Sequence, residues 1–232
     1  MSDLEHNLET LRQQIREAER AAGRAEGSVA LLPVTKFHPV GRIAELADYG
    51  FTLVGENREQ EAREKAAHLA GRCGIVMIGQ IQTKKANSVA RWAAEVHSVD
   101  TLKLAHGLER GMTLALERGD RTAAVLPCMV QLSYDGDSAR GGATPDKVPD
   151  IVEALEGAEH LELAGFMVVP PLDAEPREVF SQARALTDAY GAELNRKLRL
   201  SAGMSGDFRE AIACGSDIVR VGTALLGPRP VR

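Results

Sequence analysis

The run LLPVTK ends on Lys36, and Phe37, His38 and Pro39 follow it. An apolar run that delivers a lysine to its end sets up one particular chemistry. Taking an ammonium out of water favours its neutral form, and a neutral amine attacks carbonyl carbon to give an imine. A solvated lysine opening a loop would show the same residues, so position alone leaves both readings open. Far along the chain, LSAGMSG carries Ser205 between Met204 and Gly206, just ahead of a helical pattern. Ser205 falls where a helix N-cap belongs. Helix N-terminal amides beside a hydroxyl make a phosphate site, although a plain serine cap gives the same letters. A little later VRVGTALLG places Gly222 and Thr223 after another apolar run. Arg220, alternating with Val219 and Val221, faces away from them; it either meets a ligand or pairs with an internal carboxylate.

Other polar residues offer less. Glu56, Asn57 and Glu61 near a helix start read as first-turn groups that suit the helix dipole. His38 and His97 have no metal-ligand companion at a familiar spacing. Asp100 reads as an N-cap, and Arg140 as a solvated loop charge rather than an anion contact. Cys73, Cys128 and Cys214 are far apart and read as buried small hydrophobes.

These residues need a frame. Ser2 or Asp3 can cap a first helix with Leu4, Leu8, Leu11 and Ile15 on one face. Short apolar runs then alternate with amphipathic stretches. Strands are expected at 29–34, 52–54, 75–78, 95–98, 125–132, 161–168, 198–200 and 217–221, with helices at 40–49, 58–70, 84–94, 101–118, 145–155, 175–190 and 208–213. Repeated β-α units make a parallel sheet, and eight strands favour closure into one (β/α)8 barrel of the TIM type over an open doubly wound sheet. Little chain follows the last strand, so the extra N-terminal helix is expected to cover that side. The Gly-rich loop 134–144 reads as a flexible segment at the barrel mouth, and the whole of 1–232 as a single domain.

In such a barrel active groups gather at the C-terminal strand ends, and phosphate sites at the loops after strands seven and eight. Lys36 ends strand one, which closure sets beside strand eight. A phosphorylated aldehyde would bridge lysine and cradle, and both pyridoxal phosphate and a sugar phosphate in a Schiff-base aldolase have that shape.

Composition narrows the class. The 232 residues are 44% hydrophobic and 26% charged, ordinary for a globular chain. A net charge of −5 without a basic stripe argues against nucleic acid. No apolar run approaches a membrane span and the charged N-terminus shows no signal sequence, so a soluble cytoplasmic protein is expected.

The motifs VTKFHP, GENREQE at 55–61, IGQIQTKK at 78–85, HSVD at 97–100, LELAGFMVV, LSAGMSGDF at 200–208 and IVRVGTALLG at 218–227 run in order along nearly the whole chain. Together they resemble the pyridoxal phosphate homeostasis proteins, whose barrel is similar to the N-terminal domain of alanine racemase. The resemblance implies that Lys36 carries pyridoxal 5′-phosphate (PLP) as an internal aldimine. It also implies that Ser205, Gly222 and Thr223 hold the phosphate, that Arg220 faces the pyridine nitrogen and that Asn57 neighbours the ring. Two departures stand out: Ile75 and Val76 replace the usual Trp-His or Phe-His, and Lys84 replaces Asn. Both lie outside the implied cofactor contacts and are expected to bear on surface or partner contacts.

A racemase needs a second acid or base across the cofactor, supplied there by another domain and subunit, whereas about nine residues follow Thr223 here. An arginine at the pyridine nitrogen also opposes its protonation and weakens the ring as an electron sink. The expectation is therefore a monomeric carrier or buffer of PLP without efficient turnover, with PLP-dependent apo-enzymes as recipients. A weak PLP-dependent amino-acid racemase or lyase is the alternative.

Overall fold

The computed structural model describes residues 2–69, 71–137 and 139–228. The first helix, α1 (Asp3–Ala21), starts at Ser2, whose Oγ accepts the Glu5 N–H at 3.2 Å. Leu4, Leu8, Leu11 and Ile15 are buried, as their spacing requires. One turn on, Glu19 is buried too. Its carboxylate accepts from Val29 N at 2.7 Å and Gly27 N at 3.0 Å and so fastens the helix to the entry of the first strand.

The strands are β1 (Ala30–Pro33), β2 (Leu53–Glu56), β3 (Gly74–Met77), β4 (Ala93–Val99), β5 (Leu126–Leu132), β6 (Leu161–Val168), β7 (Arg199–Ser201) and β8 (Ile218–Val221). The helices that follow them are α2 (Val40–Asp48), α3 (Glu59–Leu69), α4 (Ala86–Trp92), α5 (Leu102–Glu117), α6 (Val148–Glu156), α7 (Pro176–Glu193), α8 (Phe208–Ala213) and α9 (Thr223–Leu226). All pairings are parallel, in the order β1-β8-β7-β6-β5-β4-β3-β2. The two ends of this order meet through a Val34–Gly55 bridge and a 3.0 Å bond from Thr35 N to Gly55 O. The result is the expected TIM-type barrel, nearly closed.

The helix expected at 84–94 divides into a 3-10 turn at Thr83–Lys85 and α4, and β4 begins at Ala93. Ala93 and Ala94 favour helix locally, but pairing with β3 through Ile75 overrides that preference. The helix expected at 58–70 is α3; Ala70 lies outside the described residues. α9 is four residues long, and α1 packs on α8 and α9, with Asn7 Nδ2 donating to Leu225 O at 3.2 Å. The N-terminal helix thus covers the side that the short last helix leaves open.

Leu32, Val76, Met129, Ala164, Met167 and Ile218 form a separate apolar cluster drawn from five strands inside the barrel. Ile75 and Val76 are both buried, so this departure from the family pattern changes the core, not the surface; Lys84 is exposed. The β5–β6 pairing shifts register at Cys128/Met129, opposite Gly165. Gly165 has φ +146, and a Cβ there would lie 1.8 Å from Arg199 O, so only glycine fits.

Candidate functional site

Lys36 stands at a corner just beyond β1. Thr35 O accepts from His38 N at 3.0 Å, closing a four-residue turn with Lys36 second and Phe37 third. Phe37 has φ +69, a left-handed value that glycine normally supplies at this place. The flanking residues are tied to α3. Glu61 Oε1 accepts the Phe37 N–H at 2.7 Å, and Lys65 Nζ donates to Thr35 O at 2.9 Å. The same ammonium bonds Glu61 Oε1 at 2.7 Å and Glu56 Oε1 at 2.6 Å, and Glu56 Oε1 also accepts from Thr35 Oγ1 at 2.6 Å. Glu56 is fully buried, and burial pushes its carboxyl above the usual range while Lys65 and Thr35 oppose the shift. Burial also lowers the nearby His38 imidazole, with Lys65 adding to the effect. Glu56 is thus the last residue of β2, not a first-turn helix group, and Glu61 holds the lysine's turn.

Beside Lys36 lies the end of β8. Pro33 pairs with Val221, and Val34 N donates to Val221 O at 2.9 Å. Gly222 follows, so close that a Cβ on it would sit 3.2 Å from Val34 O. Thr223 opens α9 and is exposed; among the described residues neither its hydroxyl nor the Thr223 and Ala224 amides have a recorded partner. Ser205 is likewise exposed, with no recorded partner for its hydroxyl among those residues. It does not cap α8, however. Asp207 is the N-cap residue, and its carboxylate folds back to accept Met204 N at 2.6 Å, so Ser205 lies inside the preceding turn. The β7 and β8 loops are joined where Arg220 N donates to Gly203 O at 2.9 Å.

Arg220 points into the barrel. Its guanidinium donates to Ser201 Oγ and Val168 O, both at 2.9 Å, and no ion pair to it occurs among the described residues. Burial lowers its pKa to about 10, with Asp207 opposing, so it stays charged at neutral pH. Deeper in the barrel His97 Nε2 meets Glu95 Oε2 at 2.9 Å, and Arg199 bonds the same oxygen at 3.1 Å. Burial holds the His97 imidazole below its ordinary value, and Glu95 opposes that shift.

On its other side Lys36 lines a cleft of about 490 Å³ with Asn57, Arg58, Gln80, Gln131 and Arg140 among its walls. Asn57 can reach this wall because the neighbouring loop residue is glycine: a Cβ on Gly79 would lie 2.1 Å from Asn57 O. Arg140 is not a solvated loop charge. It donates to Val169 O at 3.2 Å, to Pro170 O, and to Asp135 at 3.2 Å, holding the 134–144 loop against the end of β6. Asp100 is not a helix cap either. Thr101 Oγ1 accepts Leu104 N at 3.2 Å, while Asp100 is buried beside Gln80 Nε2 at 3.3 Å. Burial raises the Asp100 carboxyl above its usual range. Lys85 pairs with Glu59 at 3.3 Å and, like Lys84, is absent from the cleft's described lining. Cys73 and Cys128 are buried as expected, whereas Cys214 is half-buried.

The strand ends therefore set the Lys36 turn next to the Gly222–Thr223 loop through Val34. Asn57 shares a cleft lining with Lys36, whereas Ser205, Gly222, Thr223 and Arg220 are absent from that described lining. Exposed hydroxyls and amides on a loop that abuts a lysine-bearing turn suit a phosphate-bearing aldehyde in chemistry. Among the described residues no group of three or more His, Cys, Asp or Glu could hold a metal. The residues that sequence reasoning missed are Thr35, Lys65 and Gly79. The Glu61–Lys65 spacing of four on one helix was the available signal.

This fold and lysine-bearing mouth define a class: a family model of the alanine racemase N-terminal domain matches residues 4–230. The pyridoxal phosphate homeostasis protein of Corynebacterium glutamicum is 56% identical over 208 residues, covering 90% of this chain and 94% of its own. PipY of Synechococcus elongatus, solved with PLP bound, superposes with a TM-score of 0.81 at 29% identity, over 97% of this chain and 100% of that one. The alanine racemase of C. glutamicum shares the fold alone: its TM-score is 0.65 at 18% identity, over 97% of this chain and 62% of the racemase. The chain belongs to the pyridoxal phosphate homeostasis protein family.

Proposed function

We propose that this protein binds PLP as a Schiff base on Lys36 and carries or buffers the cofactor in the cytoplasm, passing it to PLP-dependent apo-enzymes without efficient turnover of its own. One observation carries the reading: the Lys36 turn abuts the Gly222–Thr223 loop through Val34 and opens onto a cleft. Lys36 would hold the aldehyde carbon, and the hydroxyls of Ser205 and Thr223 with the Gly222 loop amides would hold the phosphate. When bound, PLP supplies a reactive aldehyde and a ring able to accept electron density from an attached amine. Lys65 is the wrong lysine for this task, because all three of its donors are already used on oxygens.

Two features support carriage over catalysis. Arg220 stays charged at neutral pH, and if it faces the pyridine nitrogen, as this reading holds, it would keep that nitrogen unprotonated by like-charge repulsion. The cleft's described lining contains no Tyr, His or second Lys, and its carboxylate is Asp135. The Asp137 N–H holds Asp135 below the usual carboxylate range, so at neutral pH it cannot donate a proton across a bound ring. The test has two arms. Loaded protein mixed with a PLP-dependent apo-enzyme should restore that enzyme's activity. A panel of L- and D-amino acids should show no racemisation or α-hydrogen exchange above free PLP. Turnover lost in Lys36→Ala would make the protein a weak racemase or lyase instead.

A further inference from the structure

We propose that Glu61 and Lys65 of α3 are positioning residues for Lys36, holding its turn in the conformation that presents the amine to an incoming aldehyde. The inference rests on the reading of Lys36 as the cofactor lysine. A buckle serving only stability could join α3 to β1 at any point. This one grips the backbone on both sides of one residue: Lys65 Nζ takes Thr35 O at 2.9 Å and Glu61 takes Phe37 N–H at 2.7 Å. The grip coincides with backbone strain. Lys36 is not among the positive-φ residues, whereas Phe37 has φ +69, the pattern of a type II turn whose third position normally belongs to glycine. A phenylalanine stays there only if its surroundings hold it. The Glu61 carboxylate supplies that hold, and the Arg58 guanidinium lies over the Phe37 ring 5.1 Å from its centroid. Lys65, buried and also bonded to Glu56, in turn fixes Glu61.

The step affected is condensation. The Lys36 amine attacks the aldehyde carbon, a C–N bond forms, and the aldehyde oxygen leaves as water with the two amine hydrogens. A turn free to relax at Phe37 would spend less time with the amine correctly placed, so the rate should fall while the fold persists.

The experiment mixes PLP with the full chain and follows Schiff-base absorbance by stopped flow, alongside thermal melting. Glu61, with a side chain 24% exposed, tolerates truncation better than its buried partners. Glu61→Ala should slow formation about tenfold, equivalent to about 1.4 kcal/mol, with little change in melting. Adding Phe37→Gly to that variant should restore the rate to within about twofold, because glycine adopts a positive φ unaided. Glu61→Gln keeps an acceptor oxygen and should also stay within about twofold; it provides the comparison if the alanine variant does not fold. A native rate in Glu61→Ala, a double variant no faster than the single, or a tenfold loss in Glu61→Gln would each overturn the proposal. Absence of any adduct on Lys36 in the unmodified chain would instead overturn the reading beneath it.

Discussion

Lys36→Ala is expected to abolish the visible Schiff-base absorbance and to weaken PLP binding at least about a hundredfold, roughly 2.7 kcal/mol. Ser205, Gly222 and Thr223, the proposed phosphate cradle, lie on other loops and are untouched in that variant, so weak phosphate-dependent binding should persist. The fold should persist as well. Lys36 is half-buried at a turn and adds no apolar packing to the core clusters, so the melting temperature of the free protein should stay within a few degrees of native. Equilibrium dialysis with PLP beside a melting curve separates these effects. Unchanged affinity would show that the lysine is a bystander, and a large drop in melting temperature would show that it is structural.

Lys65→Met should be the most damaging change to stability, costing about 3–5 kcal/mol, because it leaves the fully buried Glu56 carboxylate with no counter-charge. For a chain of this size that corresponds to a fall on the order of 10 °C in melting temperature. The pH dependence has a definite sign. Burial raises the Glu56 pKa in the folded chain, so near that pKa the folded state binds more protons than the unfolded one. Its contribution to stability is complete below the unfolded value and is lost as pH rises through the folded one. Without Lys65 the shift grows, and the variant's deficit should shrink as pH is lowered from neutrality. Denaturant titrations at several pH values would show this. A deficit independent of pH would mean that lost packing, not a stranded carboxylate, is responsible.

Where the chain's own periodicity decides an element, the sequence was a sufficient guide. The stripe Leu4, Leu8, Leu11, Ile15 marks α1, and the apolar run 161–168 is β6 to the residue. That Lys36 follows the end of β1 and lines a cleft was legible because the apolar run LLPV marks that strand. Details set by neighbours in space were not legible. Asp207 displaces Ser205 as the α8 cap by turning back on Met204, and Thr101 displaces Asp100, which is drawn inward beside Gln80. The ion cluster that grips the Lys36 turn joins β1, β2 and α3, so its members look like ordinary surface charges until the barrel closes. The same is true of Glu95, His97 and Arg199, which meet only inside the finished barrel.

Borohydride reduction of the PLP-treated protein, followed by peptide mass mapping, shows directly whether Lys36 carries the cofactor. The expectation is one reduced pyridoxyl phosphate group per chain, carried on Lys36, with none at that position when reductant is omitted. A label on Lys65, Lys84 or Lys85, or scattered at low occupancy over exposed lysines, would contradict it.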